Sequence, residues 1–319
     1  MKRSVKISLV LVILGAILAG LGWWNHGDKT IVWNNQSRRL RVANTAHKVY
    51  YPGKYRDIQV TSALPVTIKR GATSQVTVRS GSGMAQQPKV TVKRGQLTVT
   101  AGSRSSHDNV IFGADLSSSA ANGITITVPA SQKLRNVRVT KSQEGVNLRY
   151  LKLRQLTVAT ADDVSLQQVS TTEPTNVTSQ DGDVWLASLT TPQLKVQAAD
   201  GDITLTSVDL TSKHNQVTAQ EGGDVRLTES KLGGGRVTTH DGDIHLQNNR
   251  LQDHLTATTT DGDVQAHIAQ SAGAVVNSAD GDIHVLGKSQ KSGYRLNRGA
   301  KTWYQLSSHD GDIHLSTDK

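Results

Sequence analysis

The chain of 319 residues contains no cysteine, one phenylalanine and two methionines, and aromatic side chains make up only 4% of it. Without thiols it can build neither a disulfide scaffold nor a thiolate metal site, and it is compatible with an oxidising exterior. With so few large rings, a core has to come from Val, Leu, Ile, Ala and Thr. Branched side chains suit a pleated surface and lose entropy in a helix, so this composition points to β structure. Also missing are the nucleophile elbow GxSxG, the zinc motif HExxH and a phosphate-binding loop, which removes the most legible kinds of enzyme.

Acidic residues are scarce in the first half. Residues 1–160 carry 24 Lys and Arg against 5 Asp and Glu, a net +19, whereas residues 161–319 carry 12 against 21, a net −9. A basic half joined to an acidic half implies that one end faces an anionic surface. The blander reading is a solvated basic face that aids solubility. Recognisable nucleic-acid-binding modules with stacking aromatics are missing, so no nucleic-acid partner is expected.

One long apolar run exists. Lys2, Arg3 and Lys6 precede an uncharged stretch over residues 7–24 that ends in Trp23 and Trp24. Eighteen helical residues span roughly 27 Å, close to the hydrocarbon thickness of a bilayer. The basic flank and the interfacial indoles predict a single-pass signal-anchor with residues 1–6 cytoplasmic and the bulk outside. A cleaved signal peptide is the rival reading. Residues 25–54 have no clean periodicity and read as a basic stalk, and residues 55–319 as one β-domain with repeats from about residue 150.

The most informative pattern is a recurring acidic turn. Its first acids are Asp162, Asp181, Asp200, Glu221, Asp241, Asp261, Asp280 and Asp310, spaced by 19, 19, 21, 20, 20, 19 and 30 residues. A sustained period near 20 marks a stacked solenoid. Apolar or small residues alternate with polar ones on both sides, as at Leu194, Val196 and Ala198 before one turn and Ile203 and Leu205 after it. That is the period of a strand with one buried face. Each repeat reads as strand, Asp-Gly-Asp turn, strand and a looser return. The expected fold is all-β, a β-solenoid or closely related coil of stacked sheets, preceded by one transmembrane helix.

The turn has two readings: a corner, or a cation loop. The corner residues are Asp181, Gly182, Asp183; Asp200, Gly201, Asp202; Asp241, Gly242, Asp243; Asp261, Gly262, Asp263; Asp280, Gly281, Asp282; and Asp310, Gly311, Asp312. Around Asp162 and Asp163 the glycine is missing, and after Glu221 there is one extra, yet the flanking strands keep register. A calcium loop holds several oxygens at about 2.3–2.6 Å and would not tolerate such changes, whereas a corner absorbs them as a bulge or tighter bend. The expectation is a structural turn, with glycine supplying a positive φ and aspartate bonding nearby amides. Weak calcium binding along the stacked carboxylates is the residual alternative. No cofactor is called for. His245, His284 and His314 follow their turns at outward positions and read as exposed polar filler, the last two being separated by a long insertion.

From "YRDIQVTSALPVTIKRG" onward, short alternating strands run through "GQLTVTA" and "ITITVPASQKLRNVRV" into the repeats. A Ser/Gly-rich loop, "SRSSHDNVIFGADLSSSAANG", interrupts them. This order, with serial Gly-Asp-Ile/Val turns at Gly182-Asp183-Val184, Gly201-Asp202-Ile203 and Gly242-Asp243-Ile244, resembles a bacterial family of putative adhesins, built on a β-solenoid domain of unknown function. The resemblance covers roughly residues 55–319. It implies membrane attachment and adhesion or envelope-stress sensing, and it transfers no catalytic residues. The chain departs from that pattern in its basic stalk and in the insertion before its last repeat.

The insertion gathers Lys288, Lys291, Arg295, Arg298 and Lys301 with Tyr294, Trp303 and Tyr304. It reads as a cap over the last rung, since terminal repeats are usually atypical. The alternative is an anionic-glycan contact through Lys291, Tyr294, Arg295, Arg298 and Trp303. The overall expectation is a non-enzymatic surface protein. Its partners would be the cytoplasmic membrane together with anionic lipids, wall polymers, or host glycans and proteins. The alternative is a carbohydrate-active β-helix enzyme, which would need two carboxylates in differentiated environments.

Overall fold

The computed structural model describes residues 12–17, 31–34, 38–42, 46–80, 88–102, 108–112 and 122–318. Residues 12–17 are helical. The rest of the expected span, 7–24, lies outside the described residues, among which no helix is long and apolar enough to cross a membrane.

Each repeat makes one turn of a coil, with three strands in the six coils between residues 136 and 251 and two in the coils beyond them. Leu194–Asp200, Ile203–Thr206 and Asp209–Leu210 form one such turn. Equivalent strands stack in register into sheets of 13, 14 and 6 strands. The looser return expected from the sequence is therefore a third, narrow face built of two-residue strands. The stack is parallel because every coil re-enters each face in the same direction, as in the pairing of Val184–Ala187 with Ile203–Thr206.

Alternation fixes which side chains enter the core. Leu194, Val196 and Ala198 are buried while Lys195 between them is exposed. In-register stacking turns this into continuous columns. Val164, Val184, Ile203, Val225, Ile244 and Val264 form one, and Leu166, Leu186, Leu205, Leu227 and Leu246 its neighbour. Each fully buried aliphatic side chain contributes about 1.5–3 kcal/mol. The buried Asn215 is satisfied: its side chain accepts from the Leu194 amide (2.9 Å) and donates to the Ser212 and Gly234 carbonyls (2.6 and 2.9 Å).

A second corner carries no sequence signal. Between the strands of the 14-stranded face and the narrow face, Tyr150, Gln168, Ser188, Ser207, Glu229 and Asn248 all adopt left-handed backbone with φ of 51–59°. None is glycine. The cost of that conformation, roughly 1–2 kcal/mol for an L-residue, is offset in part by hydrogen bonds between coils. The Ser188 amide donates to the Thr206 carbonyl, and the Ser207 amide to the Thr228 carbonyl (3.0 Å each).

The ends of the stack depart from chain order. The last coil, Trp303–Ser308 with Ile313–Thr317, inserts between the coil containing His254–Thr258 and Val264–Ile268 and the one containing Gly273–Ser278 and Ile283–Val285. At the other end, Asp57–Ser62 and Val66–Gly71 form the second rung, covered by Gln96–Ala101 and Gly123–Pro129. Antiparallel strands close both ends: Gln75–Ser80 and Lys89–Lys93 at one, Lys288–Gln290 and Tyr294–Leu296 at the other. Coil stacking thus begins well before residue 150. Strands also occur in the segment read as a stalk. Ile31–Asn34 pairs with Arg39–Val42 and with Asp108–Phe112, the latter from the segment expected to be a loop, and Ala46–Tyr50 pairs with Gln75–Ser80.

Candidate functional site

The acidic corners resolve into two columns with different work. The second acids form a ladder in which each carboxylate accepts the backbone amide of its counterpart one coil on. The Asp183 amide donates to Asp163 Oδ1 (2.9 Å), Asp202 to Asp183 (2.9 Å), Asp224 to Asp202 (2.8 Å), Asp243 to Asp224 (2.9 Å) and Asp263 to Asp243 (2.8 Å). The series continues through the inserted last coil, from Asp312 to Asp263 and from Asp282 to Asp312 (2.7 Å each). The expectation that aspartate bonds amides therefore holds, across coils.

The glycines answer to space rather than to φ. Of the six Asp-Gly-Asp glycines only Gly201 has a positive φ, 145°. A Cβ on Gly242 would stand 2.1 Å from the Gly223 carbonyl oxygen, and one on Gly262 2.0 Å from that of Gly242. The backbone of each corner lies directly on the corner below, and the expected positive φ gives way to this close approach. In the Glu221 repeat, Gly223 occupies the packed slot, while Gly222 (φ 67°, with open space around it) is the extra residue. Buried hydroxyls complete the corner: Ser308 Oγ accepts the Gly311 amide and donates to the Gly262 carbonyl (2.9 Å each).

The first acids from Asp181 onward are exposed and take no part in the ladder. Asp181, Asp200, Asp261 and Asp280 make no side-chain hydrogen bond or ion pair among the described residues. Asp310 is hydrogen-bonded to His309 Nδ1. That bond, followed by the nearby charges of Asp310, Asp280 and Asp261, raises the His309 pKa. Two groups bring carboxylates and an imidazole within reach of one ion: Asp224, Asp243 and His245, and Asp280, His309 and Asp310. In the first, Arg226 already bonds Asp224 Oδ2 (3.1 Å) and the ladder uses the Oδ1 atoms of Asp224 and Asp243. The second is fully exposed. Neither is a built metal site.

His245, Gln265, His314 and His284 succeed one another on the outer surface of the 14-stranded face. The inserted last coil brings His284 and His314 onto adjacent rungs, where their rings stack at 5.1 Å with a 9° tilt. The expected separation by the insertion is thereby overturned.

That insertion is a cap. Tyr294 and Leu296 pack on the core end, while Arg295 between them is exposed. Arg295 and Trp303 share a shallow cleft with His254, Val275 and Gln305. The Trp303 indole rests on Gly273 and donates Nε1–H to the Ala300 carbonyl (2.8 Å). Of the residues considered as ligand contacts, only Arg295 and Trp303 meet; Lys291, Tyr294 and Arg298 are not among the walls of this cleft.

The opposite end holds a feature that sequence reading registered only as charge. A cleft of about 950 Å³ is lined by Lys54, Arg56, Arg94, Lys133 and Arg135, with Asp57 as its single acid among the described residues. Asp57 accepts Arg135 Nε and Nη2 (3.1 and 2.6 Å) and the Asn136 amide and side chain (3.2 and 2.8 Å). The Arg135 hydrogen bonds lower its pKa.

These features define an all-β protein of stacked, mostly parallel sheets wound as a coil, with one acid of each corner tied to the neighbouring coil. Residues 55–316 match the Toastrack DUF4097 family, and the chain belongs to it. The resemblance to bacterial putative adhesins stated from the turns and strand order agrees with this. Solved structures with similar folds include a putative adhesin from Bacteroides fragilis NCTC 9343 (13% identity, covering 85% of this chain and 97% of that one, TM-score 0.40). Another putative adhesin, from Parabacteroides distasonis ATCC 8503, shares 12% identity over 85% of this chain and 96% of its own (TM-score 0.43). A putative lipid binding protein from the same strain shares 10% identity over 85% and 97% (TM-score 0.32). No curated protein matches.

Proposed function

We propose that the protein is a membrane-anchored, extracytoplasmic β-solenoid that works as a non-enzymatic binding scaffold of the cell envelope, in adhesion or in sensing envelope stress. The observation that carries this reading is the uniformity of the corners. A glycan-cleaving enzyme needs one carboxyl with a raised pKa beside one that stays ionised. Here the carboxylates of Asp163, Asp183, Asp202, Asp224, Asp243, Asp263 and Asp312 share one hydrogen-bonding role. Asp57 and Asp253, the latter beside Lys213 and His254, are displaced downward, opposite to a general acid. The long regular faces suit display of a contact surface. The basic flank of the apolar run at 7–24 supports an anchor with the bulk of the chain outside.

The test has two parts. Protease added to intact cells should remove a C-terminal epitope while sparing an N-terminal one, and protection of both would sink the topology. Deleting the gene and scoring attachment to host surfaces against tolerance of cationic antimicrobial peptides separates adhesion from stress sensing. Hydrolysis of wall polymers or acidic glycans by purified protein would establish the enzymatic alternative instead.

A further inference from the structure

We propose that the basic cleft at the N-terminal end of the stack, walled by Lys54, Arg56, Arg94, Lys133 and Arg135, holds one strand of a linear phosphodiester polymer. The proposal deepens the envelope-scaffold reading, which supplies the polymer's source. The cleft itself is argued from its own residues.

Three elements bring the cations together. Arg94 sits at the tip of the hairpin joining Lys89–Lys93 to Gln96–Ala101, with φ of 51°. Arg56 immediately precedes the strand Asp57–Ser62, and Arg135 precedes Asn136–Ser142 on the adjoining rung. Their backbones are tied: the Arg56 amide donates to the Gly95 carbonyl (2.8 Å), and the Arg135 amide to the Arg56 carbonyl (2.7 Å). Gln132 Nε2 fixes the far wall to the Tyr55 carbonyl (3.0 Å). The site is therefore formed in advance, and little ordering cost falls on a ligand.

Charge balance then identifies the ligand class. Lys54, Arg56, Arg94 and Lys133 make no ion pair among the described residues, and Asp57 is already engaged by Arg135. On the next coil Arg154, in the same corner column, is paired with Glu173 at 2.6 Å. Inside the cleft only Arg135 is compensated, by Asp57, and the other four cations are left over among the described residues. Rungs lie about 4.8 Å apart, so unpaired cations on successive rungs repel one another until an anion enters. Guanidinium groups offer forked donors that match phosphate oxygens.

Shape and the lack of exposed rings refine the assignment. Arg94, Arg56 and Arg135 flank three successive rungs, a spacing that suits a strand laid across them; a bilayer would need a flat or convex face. Acidic glycans are usually gripped by sugar–aromatic stacking, and the one aromatic wall residue among the described residues, Tyr55, is 2% exposed. Binding must then rest on charge and hydrogen bonds, which suits a backbone of phosphodiesters.

The experiment uses the full-length protein and a fluorescently labelled poly(glycerol phosphate) chain, read by anisotropy across a salt series. The variant Lys54→Gln/Arg56→Gln/Lys133→Gln is compared with a control, Lys195→Gln/Arg236→Gln/Arg250→Gln, that removes three exposed cations from the repeats. We expect the cleft variant to bind about tenfold or more weakly. Its salt slope should fall by roughly two, at about 0.7 per lost phosphate contact, and the control should bind like wild type. Equal losses in both variants, or no polymer binding by wild type, would overturn the proposal. Tighter binding to phosphatidylglycerol vesicles with the same dependence on the cleft would assign it to a membrane surface, and equal binding of polygalacturonate would remove the phosphate assignment. None of these results touches the protease and attachment assays, so the scaffold reading fails or stands separately.

Discussion

Asp243 and Asp261 occupy the two acidic columns on adjoining coils, and replacing each by alanine should move stability in opposite directions. Asp243 Oδ1 accepts the Asp263 amide at 2.8 Å. Removing it leaves a partly buried N–H without its partner, and a hydrogen bond to a charged group is worth about 1.5–3 kcal/mol. The Asp243 side chain is 41% exposed, so water replaces part of that bond, and a loss of about 1–1.5 kcal/mol is expected. Asp243→Asn keeps the acceptor oxygen and should cost less than half as much. Asp261 makes no side-chain hydrogen bond among the described residues, and its neighbours on the rungs to either side are Asp241 and Asp310. Its one attraction among them is a weak charge interaction with His309, which fades above the His309 pKa, so the comparison is made at alkaline pH. Two charges one rung apart, about 4.8 Å, repel by roughly 0.9 kcal/mol in water, cut to about 0.5 kcal/mol at physiological salt. Asp261→Ala should therefore stabilise by up to about 1 kcal/mol, with the gain shrinking as salt rises. Urea unfolding followed by circular dichroism measures both. Because coils can open singly, exchange of the peptide carrying the Asp263 amide supplies a local readout that should quicken only in the Asp243 variants. If Asp243→Ala unfolds like wild type, or Asp261→Ala is the more damaging, the division of labour between the columns is wrong.

Three further outcomes follow from the corners. Gly262→Ala puts a Cβ 2.0 Å from the Gly242 carbonyl oxygen and should cost about 2 kcal/mol or more, whereas Gly53→Ala, with nothing within 4 Å, should be near neutral in the same urea melts. Ser207→Val places a β-branched residue at φ 53° and should lose about 1–2 kcal/mol, while Ser207→Gly should change the midpoint little. The His309 pKa is raised in the folded state, chiefly by its bond to Asp310. The associated stability is fully present below the unfolded value near 6.5 and is lost as pH rises through the folded pKa. Thermal melts across that window should show wild type losing its advantage over His309→Gln as pH rises, and parallel curves would contradict the assignment.

The coil and its period were legible because they rest on local pattern. Alternation at Leu194, Val196 and Ala198 needs only the strand repeat, and the interval from Asp181 to Asp200 to Glu221 reports one turn of chain per coil. The packed corner was legible too, although its cause was not. A glycine that avoids a clash and a glycine that supplies positive φ look alike in sequence, and only the neighbouring coil separates Gly262 from Gly222. The left-handed corner at Gln168, Ser188 and Ser207 was invisible because interstrand hydrogen bonds, rather than glycine or asparagine, hold it there. The basic cleft was hidden for a similar reason. Lys54, Arg94 and Lys133 are far apart along the chain, so charge counting registered an excess of cations without assembling them.

Chain order fails at the stack ends for a physical reason that also bears on function. A parallel coil that simply stopped would expose two long rows of unpaired strand amides and carbonyls, a template for edge-to-edge association. Here the first and last coils in sequence sit one rung inside, and the intervening chain turns outward to build the end rung with antiparallel strands across it. The two caps are similar in plan, and both combine apolar burial with clustered cations. The C-terminal one lays Tyr294 and Leu296 on the core, so apolar burial closes that end. The N-terminal one buries Val76 and Val78 of its outer strand and also places Arg94 at a hairpin tip beside Arg56 and Arg135. Charge concentrated at a cap, where it contributes least to holding coils together, is better explained by what the end contacts than by what the stack requires.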